Sequence, residues 1–387
     1  MHTRVSRAAR HRLRIAVTTI VVAVVLVAGG LMGAGWYFTS QLLPPNHSAP
    51  SYDIAVHTVT SGSVELERTV DTLRGGVFGL EWPGGNAIVG AITSTSDRTV
   101  TRTLERATVP LHRGVRVAMS SQVYWGDTQQ SFGIPSQNVG IPSDVGPLPA
   151  WYVPGSGTDF VIVVHGYNGP ITDGLRLVPT LARLGLPVLL IRYRNDAGAP
   201  PSEDHLLHLG DTEWRDLDAA VRWALSQGAH RLVLVGISMG GAMVEIFMQR
   251  SSLAGRVAAL VLDSPMLGWD AVLRFQAERR HLPDLLIGPT ELVIRLRIGF
   301  DVMSYDQVRD AAAVRVPTLL FQDGQETFVP PHKAMDFARA RPDLVEYHFS
   351  ASAGHTQEWN VDPEVYESTL SSFLVRKLAM PTPSLTS

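Results

Sequence analysis

The chain of 387 residues is 45% hydrophobic and 18% charged, which excludes a disordered polypeptide and suits one large domain with additions. Its net charge of −3 is unevenly spread. Of 33 basic residues, Arg4, Arg7, Arg10, Arg12 and Arg14 precede any acid; without them 28 basic face 36 acidic residues, a balance of −8 that argues against nucleic acid as a partner. No cysteine occurs, so disulfides, thiolate metal sites and thiol nucleophiles are excluded.

Behind the basic tail (1–14), Ile15 to Phe38 form an uncharged apolar run, and the next charged side chain is Asp53. Such a run is long enough for a helix to cross about 30 Å of hydrocarbon. The arginines predict a cytoplasmic N-terminus, and Trp36, Tyr37 and Phe38 suit the far interface. A retained anchor over 15–38 is therefore expected, against a cleaved signal peptide or a buried soluble helix. An anchor or a signal peptide alike sends the rest of the chain outside the cytoplasm, so the expected location is a single-pass protein of the cell membrane.

Residues 39–51 read as a linker. From 52 to 149 short alternating pieces such as "YDIAVHTV" and "RTVTRTLERATV", separated by glycine-rich turns, predict a small β-rich segment. From 150 to 378 compact apolar runs ("FVIVV", "PVLLIRY", "RLVLV", "VAALVL", "PTLLF", "VEYHF") alternate with helical patterns. One such pattern is 212–227, with Asp211 as its N-cap. That rhythm indicates an α/β fold: a mostly parallel sheet flanked by helices on both faces. Residues 266–313 interrupt it with helix-like stretches, a lid-like insertion over the sheet edge where such folds bind ligands. A short tail, 379–387, closes the chain.

"VGISMGG" carries the strongest chemical signal. Gly236-Ile237-Ser238-Met239-Gly240 fits G-x-S-x-G between a strand and a helix, a turn that exposes the serine at the strand end. Ser238 is thus a candidate nucleophile. A serine needs a base, and the base needs an orienting acid. His355 follows the last apolar run and is the candidate base. Three carboxylates lie between them in the chain: Glu326, the preferred acid, with Asp323 and Asp263 as alternatives. Backbone N–H groups of Tyr167, in "VVHGYNG", and Met239 are the candidate oxyanion donors. His165 reads as a structural hydrogen-bonder. His205, His208 and Asp211 have a metal-like spacing, but a polar loop before a helix explains them better. No P-loop or dinucleotide-binding glycine pattern follows any strand.

Taken in order, "VVHGYNG", "GISMGG", "PTLLFQDGQETFVP" and "AGHTQEW" resemble the α/β-hydrolase superfamily over about 150–375, particularly membrane-anchored actinobacterial serine hydrolases. The resemblance implies an α/β-hydrolase fold with a helical lid insertion, here preceded by a transmembrane helix and the small β-rich segment. Members often read H-G-x-x-D-x-x-V-P after the seventh strand. Laid onto 322–330, that motif puts Gln322 and Asp323 where His-Gly usually stand and Glu326 at the acid position; a one-residue shift would substitute Asp323. The implied activity is hydrolysis of an acyl ester, with a lipidic acyl chain favoured, through an acyl-enzyme and with no metal or organic cofactor. A peptidase or acyltransferase using the same residues, and a non-catalytic envelope scaffold, are the alternatives.

Overall fold

A computed structural model describes residues 7–380; Arg4 of the basic tail and residues 381–387 of the C-terminal tail lie outside the described residues. The N-terminal run forms α1 (Arg7–Leu42). Within it, His11–Leu42 is long and apolar enough to cross a membrane. Its side chains are exposed along most of that length and become covered by the rest of the chain only from Leu31 onward.

Six strands then close into an antiparallel barrel: β1 (Ile54–Val59), β2 (Ser63–Glu67), β3 (Phe78–Trp82), β4 (Gly85–Thr95), β5 (Thr99–Ala107) and β6 (Arg116–Ser120), in the order β1-β2-β5-β4-β3-β6. Alternation drives it, because in β2 only Val64 and Leu66 turn inward to meet Phe78, Leu80, Val89 and Val117. The barrel also grips the main domain near its C-terminal end. Val77 N–H donates to Asn360 O (2.8 Å), the Asn360 side chain donates back to Val77 O, and Arg74 donates to Gln357 Oε1 (2.9 Å).

After a short α2 (Thr128–Phe132), β7 (Gln137–Ile141) and β8 (Leu148–Val153) begin the main sheet. It continues through β9 (Asp159–Val164), α3 (Val178–Arg183), β10 (Val188–Ile191), α4 (Trp214–Ser226), β11 (Arg231–Ile237), α5 (Met239–Arg250) and β12 (Val257–Asp263). The insertion follows, with α6 (Trp269–Arg279) and α7 (Ile287–Ile298), and then β13 (Thr318–Gln325), α8 (Pro331–Ala340), β14 (Val345–Gly354), α9 (Glu358–Val361) and α10 (Pro363–Leu378). The eight strands lie in the order β14-β13-β12-β11-β9-β10-β8-β7. They are parallel from β14 to β10 and antiparallel at β8 and β7. Both faces are covered, by Leu217 and Val221 of α4 and Met243 and Ile246 of α5 on one side, and by Leu181 of α3 and Leu370 and Phe373 of α10 on the other. This is the α/β-hydrolase fold expected from the sequence.

Two details differ from the sequence reading. Residue 150, where that reading divides the chain, lies inside β8, and the barrel itself ends at Ser120. The edge strands β7 and β8 lack the continuous apolar run of the buried strands, so the apolar runs in the sequence pick up the sheet only from β9. Asp211 does not cap α4, which starts at Trp214. Its carboxylate pairs with Arg250 (2.6 Å), while Glu213 accepts the His208 and Gly210 N–H groups and fixes the loop before the helix.

Candidate active site

The turn from β11 into α5 holds Ser238 at φ +53°, ψ −114°, a strained conformation that persists because its surroundings over-determine it. Ser238 N–H donates to Asp263 O (2.9 Å), and its own carbonyl accepts from Gly241 and Met266. Two glycines are required by proximity. A Cβ on Gly240 would lie 2.2 Å from Val164 O, and one on Gly166 would lie 3.1 Å from Ser238 Cβ. The crowding lets α5 press against β9 while Ser238 Oγ stays clear.

His355 follows β14 in a turn where Thr356 has φ +57°. Its Nε2 is 2.8 Å from Ser238 Oγ. Its Nδ1 is 2.6 Å from Glu326 Oε1. With Nδ1 protonated, the imidazole donates to the carboxylate and accepts the serine proton, the tautomer a general base needs. Glu326 leaves the end of β13 fully buried. Its second oxygen accepts three backbone N–H groups, from Thr327 (2.9 Å), Phe328 (3.0 Å) and Val329 (3.2 Å). These three donors and the ring fix the orientation of the carboxyl group.

The alternative acids stand elsewhere. Asp323 is fully buried and hydrogen-bonded to Ser264 Oγ. Burial, and then the neighbouring Asp263, push its pKa well above the usual carboxylate range. Asp263 pairs with Arg176 (2.9 Å) and accepts from Tyr366 Oη (3.0 Å). Arg176 in turn donates to Thr356 O (2.8 Å), beside the candidate base. The Asp263 carboxylate is thus held by Arg176 and Tyr366 rather than by His355. Nothing in the sequence around Arg176 signals that role, since its partners lie more than eighty residues away.

His165 is buried, with Nε2 2.8 Å from Asp196 Oδ2 and Nδ1 3.0 Å from Gly166 O. Burial would lower its pKa, but the Asp196 carboxylate outweighs this and holds it above the ordinary value. Together with Tyr193 Oη, which donates to Gly166 O (2.7 Å), it fixes the loop after β9. Tyr167 on that loop anchors its hydroxyl on Leu42 O at the end of α1 (2.5 Å). Met239 is the first residue of α5, so its N–H lacks an intrahelical partner and forms part of the positive end of the helix dipole. A cleft of about 580 Å³ opens beside the loop, lined by Asn168, Gly169 and Thr172 together with Trp151 and Arg192. His208 pairs with Asp204 (2.9 Å) rather than gathering with Asp211.

The insertion reaches the site as well. Gln276 of α6 donates to the carbonyls of Thr327 and Phe328 (both 2.8 Å), the residues whose N–H groups hold Glu326. Phe328 is half exposed, its ring 5.0 Å from the His355 ring. Neither residue stands out in the sequence.

A profile described as Alpha/beta hydrolase family matches residues 161–375, and one described as a domain of unknown function matches residues 55–120. An uncharacterized protein of Mycobacterium tuberculosis is 28% identical over 236 residues, 59% of this chain and 74% of its own length. Two crystal forms of the Pyrococcus furiosus esterase Pf2001 superpose with TM-scores of 0.54 and 0.53 at 20% and 21% identity. They cover 66% of this chain and 95% and 98% of theirs, a likeness of fold.

Proposed function

Since the chain belongs to the α/β-hydrolase family, we propose that it is a membrane-anchored serine hydrolase that cleaves acyl esters outside the cytoplasm. The observation that carries this reading is the unbroken relay from Ser238 Oγ through His355 to Glu326. Ser238 Oγ attacks the acyl carbonyl while His355 Nε2 takes its proton. Glu326 holds the imidazole and stabilises the imidazolium that forms. Backbone N–H groups of Tyr167 and Met239 donate to the tetrahedral oxyanion, so no particular side chain is needed at either position. His355 returns the proton to the departing alkoxide, and the acyl group stays on Ser238. Water then enters, gives a proton to His355, and attacks the acyl-enzyme. Collapse of the second tetrahedral intermediate frees the carboxylic acid as His355 returns that proton to Ser238 Oγ, restoring both side chains.

The helix α1 supports membrane attachment, and the basic residues ahead of its apolar run support a cytoplasmic N-terminus. An acyl chain of lipid type fits a domain held against a bilayer. The test is turnover of nitrophenyl esters of graded chain length, and of matched peptide amides, by the detergent-solubilised full chain. Ester hydrolysis lowered roughly 10⁴–10⁶-fold in Ser238→Ala is expected. Equal turnover by folded Ser238→Ala would sink the reading, whereas amides cleaved faster than esters would move it to a peptidase.

A further inference from the structure

α7 presents three faces. Ile294 and Ile298 enter the main core. Pro289, Val293 and Arg297 meet α1: a Cβ on Gly35 would lie 2.8 Å from Pro289 O and 3.1 Å from Val293 Cγ2. Arg297 sits 4.6 Å above the Trp36 ring and donates to Thr39 Oγ1 (2.9 Å). The third face carries Leu285, in the turn before the helix, then Leu292 and Leu296, spaced to share one stripe. They are exposed by 61%, 48% and 70%. Scattered surface leucines need no explanation, but three on one stripe beside a bare apolar helix mark an interaction surface.

The direction of packing identifies what covers it. Gly35 pairs with the first half of α7 and Thr39 with its last turn, so the two helices run in the same sense. The turn at Asp284–Leu286 also packs on α1. Cover on α1 starts at Leu31, seven residues before the apolar run ends at Phe38, or about 10 Å along the helix. The start of α7 therefore sits below the outer end of the run, and Leu296 sits above it. We propose that the Leu285–Leu292–Leu296 stripe docks into the outer leaflet of the bilayer that α1 spans, at the boundary between headgroups and acyl chains. This rests on reading α1 as a membrane anchor. Arg295, beside Leu296 in the last turn, is exposed, as suits the headgroup layer, and Trp36 and Tyr37 lie exposed on the part of α1 that α7 packs against. The insertion that holds the Glu326 loop through Gln276 is thus itself seated on lipid.

The absence of cysteine makes single-site labelling direct. Leu285→Cys, Leu292→Cys and Leu296→Cys, each carrying an environment-sensitive fluorophore, are placed in the full chain in phosphatidylcholine–phosphatidylglycerol vesicles. Val25→Cys in α1 and Val70→Cys on the barrel serve as references. Quenching by doxyl-labelled lipid is compared with quenching by iodide present on both sides. Labels at 285 and 292 are expected to lose most of their iodide quenching and to be quenched by doxyl lipid, with 296 intermediate and 70 quenched by iodide alone. Labels at 285 and 292 that behave like 70, while 25 is lipid-quenched, would overturn the docking and leave the anchor standing. A label at 25 that behaves like 70 would overturn the anchor and the docking with it.

Discussion

Asp323 and Glu326 lie three residues apart and meet opposite surroundings. Glu326 gathers three backbone N–H groups and the His355 ring, so both its oxygens are held by donors. Asp323 is buried beside Asp263, which favours its protonated form. An amide is a fair mimic of a protonated acid and a poor one of a carboxylate. Glu326→Gln is therefore expected to lower ester kcat by roughly 10³–10⁴-fold, and Asp323→Asn by far less; the reverse order in steady-state kinetics would transfer the orienting role to Asp323. A second buried acid makes a stability prediction. Burial pushes Glu245 of α5 up to about 8, and its Oε1 has no hydrogen-bond partner among the described residues. A carboxyl that holds its proton more tightly folded than unfolded gives full stability below its ordinary value near 4.5 and loses it as pH rises towards about 8. Glu245→Gln removes that loss, so the variant's melting temperature should exceed the parent's by more at pH 8 than at pH 5. The gain is about 2–4 °C for each kcal/mol recovered in a domain of this size. At this scale the sequence points to Ser238, His355 and Glu326 because each follows a strand signal directly, and the fold brings the three side chains within hydrogen-bond distance. Arg176 and Gln276 could not, because they act through hydrogen bonds to segments far along the chain.

Elements hold these side chains in register. The elbow depends on α5 lying against β9, and the Glu326 loop depends on α6, whose Gln276 ties down two carbonyls of the loop. Under the proposed mechanism, Gln276→Ala leaves Ser238 and His355 untouched but frees the loop that carries Glu326. It is expected to lower kcat about tenfold, on the order of 1.4 kcal/mol, with KM for a short-chain ester nearly unchanged. A raised KM with normal kcat would instead make Gln276 part of substrate binding. The buried parallel strands announced themselves by apolar runs, and the barrel by alternation. The edge strands β7 and β8 did not, since half-exposed antiparallel strands carry a weaker pattern. Asp211 misled because its spacing suits a cap, whereas Arg250, reached only in three dimensions, claims its carboxylate.

At the scale of the whole molecule, the end of α1 is as much a part of the domain as of the apolar helix. Leu43 is fully buried in the main core, its carbonyl accepts from Leu207 N–H (2.8 Å), and Leu42 O accepts from Tyr167 Oη. A fragment beginning at Pro44 loses these contacts and those of Arg297, while one beginning at Leu31 keeps them. The longer fragment should be the more stable in denaturant titration, by about 1.5–3 kcal/mol for the leucine alone; equal stability would mean that α1 rests on the domain without supporting it. Composition and the apolar run made the chain's overall layout legible, but not this docking, because the linker residues carry no pattern that distinguishes a packed segment from a free one. The proposed mechanism turns on one oxygen atom, Ser238 Oγ, and a fluorophosphonate probe reports on it directly. In the folded full chain, mass spectrometry should find a single phosphonyl adduct on Ser238, absent from His355→Ala under the same brief exposure. Folded protein that takes no adduct, or takes it on another residue, would contradict Ser238 as the nucleophile.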